Sequence, residues 1–175
     1  DLPVKALSPL VVAFERLQPW KSSRVHRRGF ERAFKGSRVL YRRGVDTGTW
    51  RLRAAYAKGP LSFQHIVQAI SAPEGGDREA KFLTAVLSSR LAAWFAFHGT
   101  SSFGAARPEV QQAELLRLPM PRPEDTVDPE AARAVVADVV ALVDREQDRA
   151  SNLLRSSNEP EQTLREIDQL VYVYF

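Results

Sequence analysis

The 175-residue sequence has no cysteine, a single methionine and three histidines. Without thiols there is no disulfide framework, no Cys-ligated zinc and no Cys nucleophile, which is consistent with a reducing cytoplasm. His26, His65 and His98 are scattered and show no metal-ligand spacing. The longest apolar stretches, 91–97 and 135–143, stop well short of the ~20 residues that span a bilayer, and no signal peptide is visible. Also missing are a Walker loop, a dinucleotide-type glycine fingerprint, His-Glu-x-x-His and a nucleophile elbow. Most locally legible cofactor and hydrolase chemistries are thereby excluded. Position 1 is Asp rather than Met, so the sequence reads as an excised part of something longer.

What remains is an ordinary soluble composition, 44% hydrophobic and 26% charged. A chain of this length buries roughly 70% of its unfolded surface and needs no metal or disulfide to hold a core. The net charge of +4 hides an asymmetry. Residues 1–58 carry 14 Lys/Arg against 4 Asp/Glu, a net of +10, whereas residues 59–175 carry 11 against 17, a net of −6. Basic density on one part of a fold is the electrostatic footprint of a polyanion binder, because neutralised phosphates release counterions. A solvated basic face is the alternative.

The pattern predicts an α+β fold: a small, mostly antiparallel sheet with one long packed helix, followed by a C-terminal helical hairpin. Ser8-Pro9 reads as the opening of a short helix carrying Leu10, Phe14 and Leu17. Residues 21–29 are too polar for a core element and read as an exposed basic arm. Strands are expected at 38–42, 50–56 and 62–70, with Asp46 and Gly48 turning the chain between the first two. In the second, alternation sets Arg51 and Arg53 on one face. Asp77 reads as the N-cap of a helix to about Phe97, with Phe82, Val86, Leu87, Leu91, Trp94 and Phe95 at helical spacing. By that spacing Trp94, Phe95 and Trp50 belong to the core. A short extended segment at 114–121 follows, then helices opened by Asp128-Pro129 and by Pro160, with a polar, mobile connection at 151–159.

Two weak catalytic patterns can be weighed. Ser101 and Ser102 lie near His98, but no acidic orienter is identifiable, and a polar helix-terminal cap explains them better. Glu79-Ala80-Lys81 matches the end of a magnesium nuclease site, with Asp46 needed as a second ligand. Glu79 falls in a first helical turn, where the helix dipole already favours an acid.

An ordered series of segments carries more. Arg38-Val39-Leu40-Tyr41-Arg42-Arg43-Gly44 and Arg53-Ala54-Ala55-Tyr56 precede Phe63-Gln64-His65-Ile66. Then come Leu83 to Leu91, containing Leu87-Ser88-Ser89-Arg90-Leu91, and Gly99-Thr100-Ser101-Ser102-Phe103-Gly104. Leu118-Pro119-Met120-Pro121 and Ile167-Asp168-Gln169-Leu170-Val171-Tyr172 complete it. Over residues 36–174 this order resembles the C-terminal target-recognition region of N6-adenine DNA methyltransferases, of the kind found in fused bacterial restriction-modification and phage-defence enzymes. Ser88 stands where the family's "NSKL" wording has Asn, which predicts the loss of a polar contact. The family's Asn/Asp-Pro-Pro-Tyr/Phe motif and its S-adenosylmethionine-binding glycine motif are absent. The resemblance therefore implies a piece without catalytic residues, metal or cofactor of its own, the S-adenosylmethionine belonging to the parent enzyme.

It further implies a target-recognition domain over 1–123, and a hairpin over 124–175 that braces a missing N-terminal methyltransferase domain. The partner is double-stranded DNA, not a membrane. The expected contacts are Arg24, Arg27, Arg28, Arg42, Arg43, Arg51, Arg53, Lys58 and Arg107, whose guanidinium groups can track phosphates or fork onto guanine. Thr100, Ser101 and Ser102 add short hydroxyl donors, or else cap the preceding helix. A scaffolding module and a magnesium nuclease stand as alternatives.

Overall fold

The computed structural model describes residues 1–19, 29–46, 48–99, 109–151 and 159–175, with the side chains of 159 and 160 left aside. The expected basic arm, the loop after Gly99 and most of the polar connection before Pro160 lie outside the described residues.

The sheet is antiparallel, in the order β4-β3-β5, with β3 (Arg38–Arg42) between β4 (Ala54–Ala57) and β5 (Val67–Ser71). Val39 pairs with Tyr56 and Ile70, and Leu40 with Ala55 and Ala69. Both faces of the sheet are covered, which is why β3 and β4 read as nearly continuous apolar runs rather than as alternating ones. Val39, Tyr41, Ala54 and Tyr56 face the helices, whereas Leu40, Ala55, Ala57 and Val67 pack on an N-terminal segment carrying Leu2, Leu7 and Val12.

That N-terminal segment departs from expectation. Instead of a helix after Ser8-Pro9, it forms a tight antiparallel hairpin of β1 (Leu7–Ser8) and β2 (Val11–Val12), followed by a 3-10 turn at Phe14–Arg16. Leu10 adopts φ +69° at the turn. Its N–H donates to the Ala54 carbonyl at 2.7 Å while its side chain is buried. Tertiary pairing with β4 thus overrides the local helical signal.

The long helix is two. α1 (Asp77–Ser88) and α2 (Arg90–Gly99) are separated by Ser89, which is extended at φ −76°, ψ 162°. Its hydroxyl donates to the Val86 carbonyl at 2.6 Å and accepts from the Ala92 N–H at 3.4 Å, so one side chain closes α1 and caps α2. Asp77 opens α1 without capping it. Its carboxylate accepts from Lys58 and Ser37 instead.

The 114–121 region is also not simply extended. α3 (Gln112–Leu115) is a single turn closed by a capping box between Gln111 and Glu114. α4 (Pro129–Ser151) starts as expected, since Asp128 Oδ1 accepts from the Glu130 and Ala131 N–H groups. α4 and α5 (Glu159–Tyr174) pack on each other, and Val136, Val139, Val143, Ile167 and Val171 join the same core as Val39 and Val86. Among the described residues no helix is long and apolar enough to cross a membrane.

Candidate nucleic-acid interface

The expected strand at 50–56 begins only at Ala54, because the chain first folds back on itself. The Asp46 N–H donates to the Arg51 carbonyl at 2.9 Å and the Trp50 N–H to the Asp46 carbonyl at 2.7 Å. Arg51 and Arg53 consequently do not share an exposed face. Arg51 is 4% exposed, with its guanidinium forked onto the Asp168 carboxylate of α5 at 2.9 and 2.5 Å and donating to the Ser88 carbonyl at 3.0 Å. Arg51 is therefore removed from the DNA-contacting set.

The same knot accounts for two of the family-like segments. Asp168 Oδ1 also accepts the Arg90 N–H at 2.9 Å, at the first turn of α2. There the helix end favours negative charge. The buried Ser88 has a polar partner of its own, its hydroxyl donating to the Ala54 carbonyl at 3.1 Å. The Leu118-Pro119-Met120-Pro121 segment is tied in similarly, with the Pro121 carbonyl accepting from the Tyr174 hydroxyl at 2.6 Å. These segments tie helices to strands and need no ligand to explain them.

Arg42, Arg43 and Arg53 gather at one end of the sheet. The Arg42 N–H donates to the Arg53 carbonyl at 2.9 Å, and the Val110 N–H to the Arg43 carbonyl at 2.9 Å. Gly44 bridges Glu109 at this same end. Thr100, Ser101, Ser102 and Arg107 are among the expected contacts too. Those four residues lie outside the described residues, as do Arg24, Arg27 and Arg28.

Carboxylates have already claimed much of the positive charge. Arg53 is held by Asp46, whose other oxygen accepts from the Gly48 and Thr49 N–H groups. The Arg53 guanidinium and these N–H groups hold the Asp46 carboxyl below the usual range, against its partial burial. Arg43 donates to Glu109 at 3.0 Å and to Gln111 at 3.3 Å. Lys58 sits at the opposite end of β4 and pairs with Asp77 at 2.7 Å. Lys58 and the Ser37 hydroxyl hold the Asp77 carboxyl down at about 2. Arg42 is half-buried, and its Nε has no hydrogen-bond partner. Among the described residues, then, the cations of the first third do not all converge on one groove. Of the five described DNA-contact candidates, Arg42, Arg43 and Arg53 lie at one end of the sheet, Lys58 lies at the far end of β4 and Arg51 is buried.

Arg38 is a second internal cation. It is 0% exposed, its Nη1 donates to the Gly36 carbonyl at 2.5 Å, and its Nε and Nη2 lack partners, so burial lowers its pKa.

Two tryptophans expected in the core are exposed instead. Trp94 is 60% exposed and touches His98, which in turn touches Phe97, whereas Phe95 does pack against the core. Trp50 is 55% exposed at φ +53°. Helical spacing alone misassigned Trp94, because the break at Ser89 interrupts the helical phase and α2 buries Ala92, Ala93 and Ala96 instead. The turn residues Gly48-Thr49 were the available sign that Trp50 is not in a strand.

Nothing gathers around the nuclease candidates. Lys81 is bound to Asp144 at 2.6 Å, Asp46 is engaged by Arg53, and no group of three acids or histidines that could hold a metal ion occurs among the described residues. A cavity of about 580 Å³ lies between β2, Phe14–Glu15, the end of β4 and the last turn of α4. Its charged lining residues are Glu15, Asp148 and Lys58, a net negative set that does not favour a phosphate. No family model matches the sequence, and no curated protein matches it either.

Proposed function

We propose that this chain recognises duplex DNA in a sequence-specific manner, as the target-recognition part of an adenine-N6 DNA methyltransferase or of a restriction enzyme that contains one. The observation carrying the reading is the placement of Arg42, Arg43 and Arg53 at one end of the sheet, beside the Gly44–Glu109 bridge. The basic first third and the ordered family-like segments support it from the sequence side.

In this reading the three arginines, with Arg107 and the hydroxyls of Thr100, Ser101 and Ser102, meet the duplex, and the basic run at Arg24, Arg27 and Arg28 adds phosphate contacts. Asp46 and Glu109 fix the direction of two guanidiniums, which suits a forked contact to guanine O6 and N7 better than loose phosphate tracking. The desolvation of two already paired charges offsets part of the gain.

S-adenosylmethionine belongs elsewhere in the parent enzyme. The three described strands of this sheet are antiparallel and offer no crevice between parallel strands and a helix N-terminus, so the residues here do not fit it. Transfer of the methyl group would fall to a separate catalytic part that acts on an adenine flipped from the stack. The exposed aromatic face of α2, with Trp94 and Phe97, and the exposed Tyr172 and Val173 of α5 favour a protein contact as well, in keeping with a bracing role toward that part.

Titration of the chain with mixed-sequence duplexes at several salt concentrations tests the reading. Affinity should fall with salt by a slope of about −0.9 per phosphate neutralised, and Arg43→Ala or Arg53→Ala should weaken binding and flatten that slope by up to about one phosphate's worth. Binding that ignores salt, or no binding at all, removes the assignment.

A further inference from the structure

The cavity of about 580 Å³ beside the end of β4 has no part in the DNA reading. Its size falls within the roughly 300–1,000 Å³ of small-molecule sites. Three parts of the fold meet to form it, since β2 packs on β4 and the last turn of α4 reaches both. Val11, Val12, Tyr56 and Ala57 are buried and give it an apolar floor. Phe14 also lines it but is 56% exposed, so the fold leaves one aromatic lining residue largely uncovered.

The polar lining is rich in acceptors and poor in donors. The ammonium of Lys58 is paired with Asp77 at 2.7 Å, outside the lining. Gln147 turns its Nε2 to the Tyr56 carbonyl at 3.4 Å, and the Ser151 hydroxyl donates to the Gln147 carbonyl at 3.0 Å. With these donors engaged, an occupant meets the Gln147 amide oxygen and the carboxylates of Glu15 and Asp148. Asp148 is exposed, and no ion pair or hydrogen bond holds its carboxylate among the described residues. Glu15 has Arg16 at 3.8 Å, a loose contact, because the Arg16 Nη1 is turned to the Lys5 carbonyl. The Lys58–Asp77 pair is neutral as a unit, so the two remaining carboxylates set a negative potential over the cavity.

We infer that this cavity is a binding site for a small organic cation, an ammonium group carried on an apolar or aromatic body. The floor and Phe14 take the body, while Glu15, Asp148 and the Gln147 amide oxygen accept from the ammonium. The face of an aromatic ring also attracts a cation. An anion is repelled by both carboxylates, and a neutral apolar molecule leaves them unanswered. The site lies at the Lys58 end of β4, away from the end that holds Arg42, Arg43 and Arg53. It therefore stands independently of the DNA-recognition reading, and its occupant need not compete with a duplex.

The test titrates the full chain with naphthylethylammonium, with naphthylethanol as the neutral match and naphthylacetate as the anionic one, and follows the methyl NMR signals of Val11, Val12, Ala57 and Ala150. The ammonium should move these signals with a dissociation constant on the order of 1 mM. It should bind about fivefold more tightly than the alcohol, and the acetate more weakly still. At about ten times its dissociation constant the ammonium should raise the thermal midpoint by about 4 °C. The double variant Glu15→Gln, Asp148→Asn changes exposed side chains and should unfold within about 2 °C of the parent. In it the preference for the ammonium over the alcohol should disappear, while Phe14→Ala should weaken both ligands alike. Methyl signals that stay still at about 10 mM ammonium overturn the inference. So does a parent chain that binds alcohol and ammonium equally, or an ammonium preference that survives the double variant.

Discussion

Replacing Asp168 by Asn probes the joint on which the arrangement turns. Asn keeps the shape and can still accept the Arg90 N–H through Oδ1, but it removes the charge facing Arg51, whose side chain is only 5% exposed. A buried guanidinium left without its carboxylate costs about 3–5 kcal/mol, out of a total stability on the order of 5–15 kcal/mol. With a urea slope of about 2 kcal/mol per molar, the unfolding midpoint should fall by roughly 1.5–2.5 M, and the thermal midpoint by on the order of 10 °C. Arg51→Ala should cost a similar amount, so it cannot serve as a clean probe of DNA contact. The double variant Arg51→Met, Asp168→Leu should recover much of the loss, since exchanging both partners of a buried pair for apolar groups is often close to neutral. Urea unfolding followed by circular dichroism reads all three. An Asp168→Asn midpoint within about 0.3 M of the parent, equivalent to about 0.6 kcal/mol at that slope, would refute the claim that this pair is buried and sustains the joint.

Further predictions concern the helix break and the acid limb. Ser89→Ala removes the hydroxyl that ends α1 and caps α2; it should cost about 1 kcal/mol, seen as a thermal midpoint lowered by about 2–4 °C. Asp77 and Asp46 both have carboxyls held below their ordinary values, Asp77 at about 2. Depressed values mean that their contribution is fully present above the unfolded carboxyl value of about 3.9. It is then lost as pH falls below that value, for Asp77 toward about 2. Thermal unfolding between pH 5 and pH 2 should show this loss, and Asp77→Asn should flatten part of it; an identical acid profile in that variant would refute the assignment to Asp77. Lys58 is shifted the opposite way, upward, by the same Asp77 pairing. Its contribution is present below its unfolded value and fades only as pH rises through the alkaline range.

Much of the architecture was legible in the sequence because it is governed by local rules. The apolar spacing in 77–97 and 129–143 marks helices wherever those segments pack. Asp128-Pro129 starts α4 through a bond between neighbours, and the β-branched and aromatic content of 38–42 makes a strand. The absence of cysteine and of long apolar runs likewise excluded whole classes without a fold. The candidate site was only partly legible. A count of positive charge in 1–58 cannot tell which guanidiniums will find carboxylates, because Asp168 lies 117 residues from Arg51 and Glu109 lies 66 from Arg43.

Tertiary structure decided those pairings, and with them which basic residues remain available to a polyanion. It also decided that Ser8-Pro9 leads into a hairpin rather than a helix, since the Leu10 N–H is satisfied by Ala54. The positions of Trp50 and Trp94 depend on the turn at Asp46–Arg51 and the helix break at Ser89, which no periodicity records. Spacing along the chain reports what a residue does within its own element. Whether a charge is spent inside the fold or left at the surface depends on groups that meet only after the chain has closed.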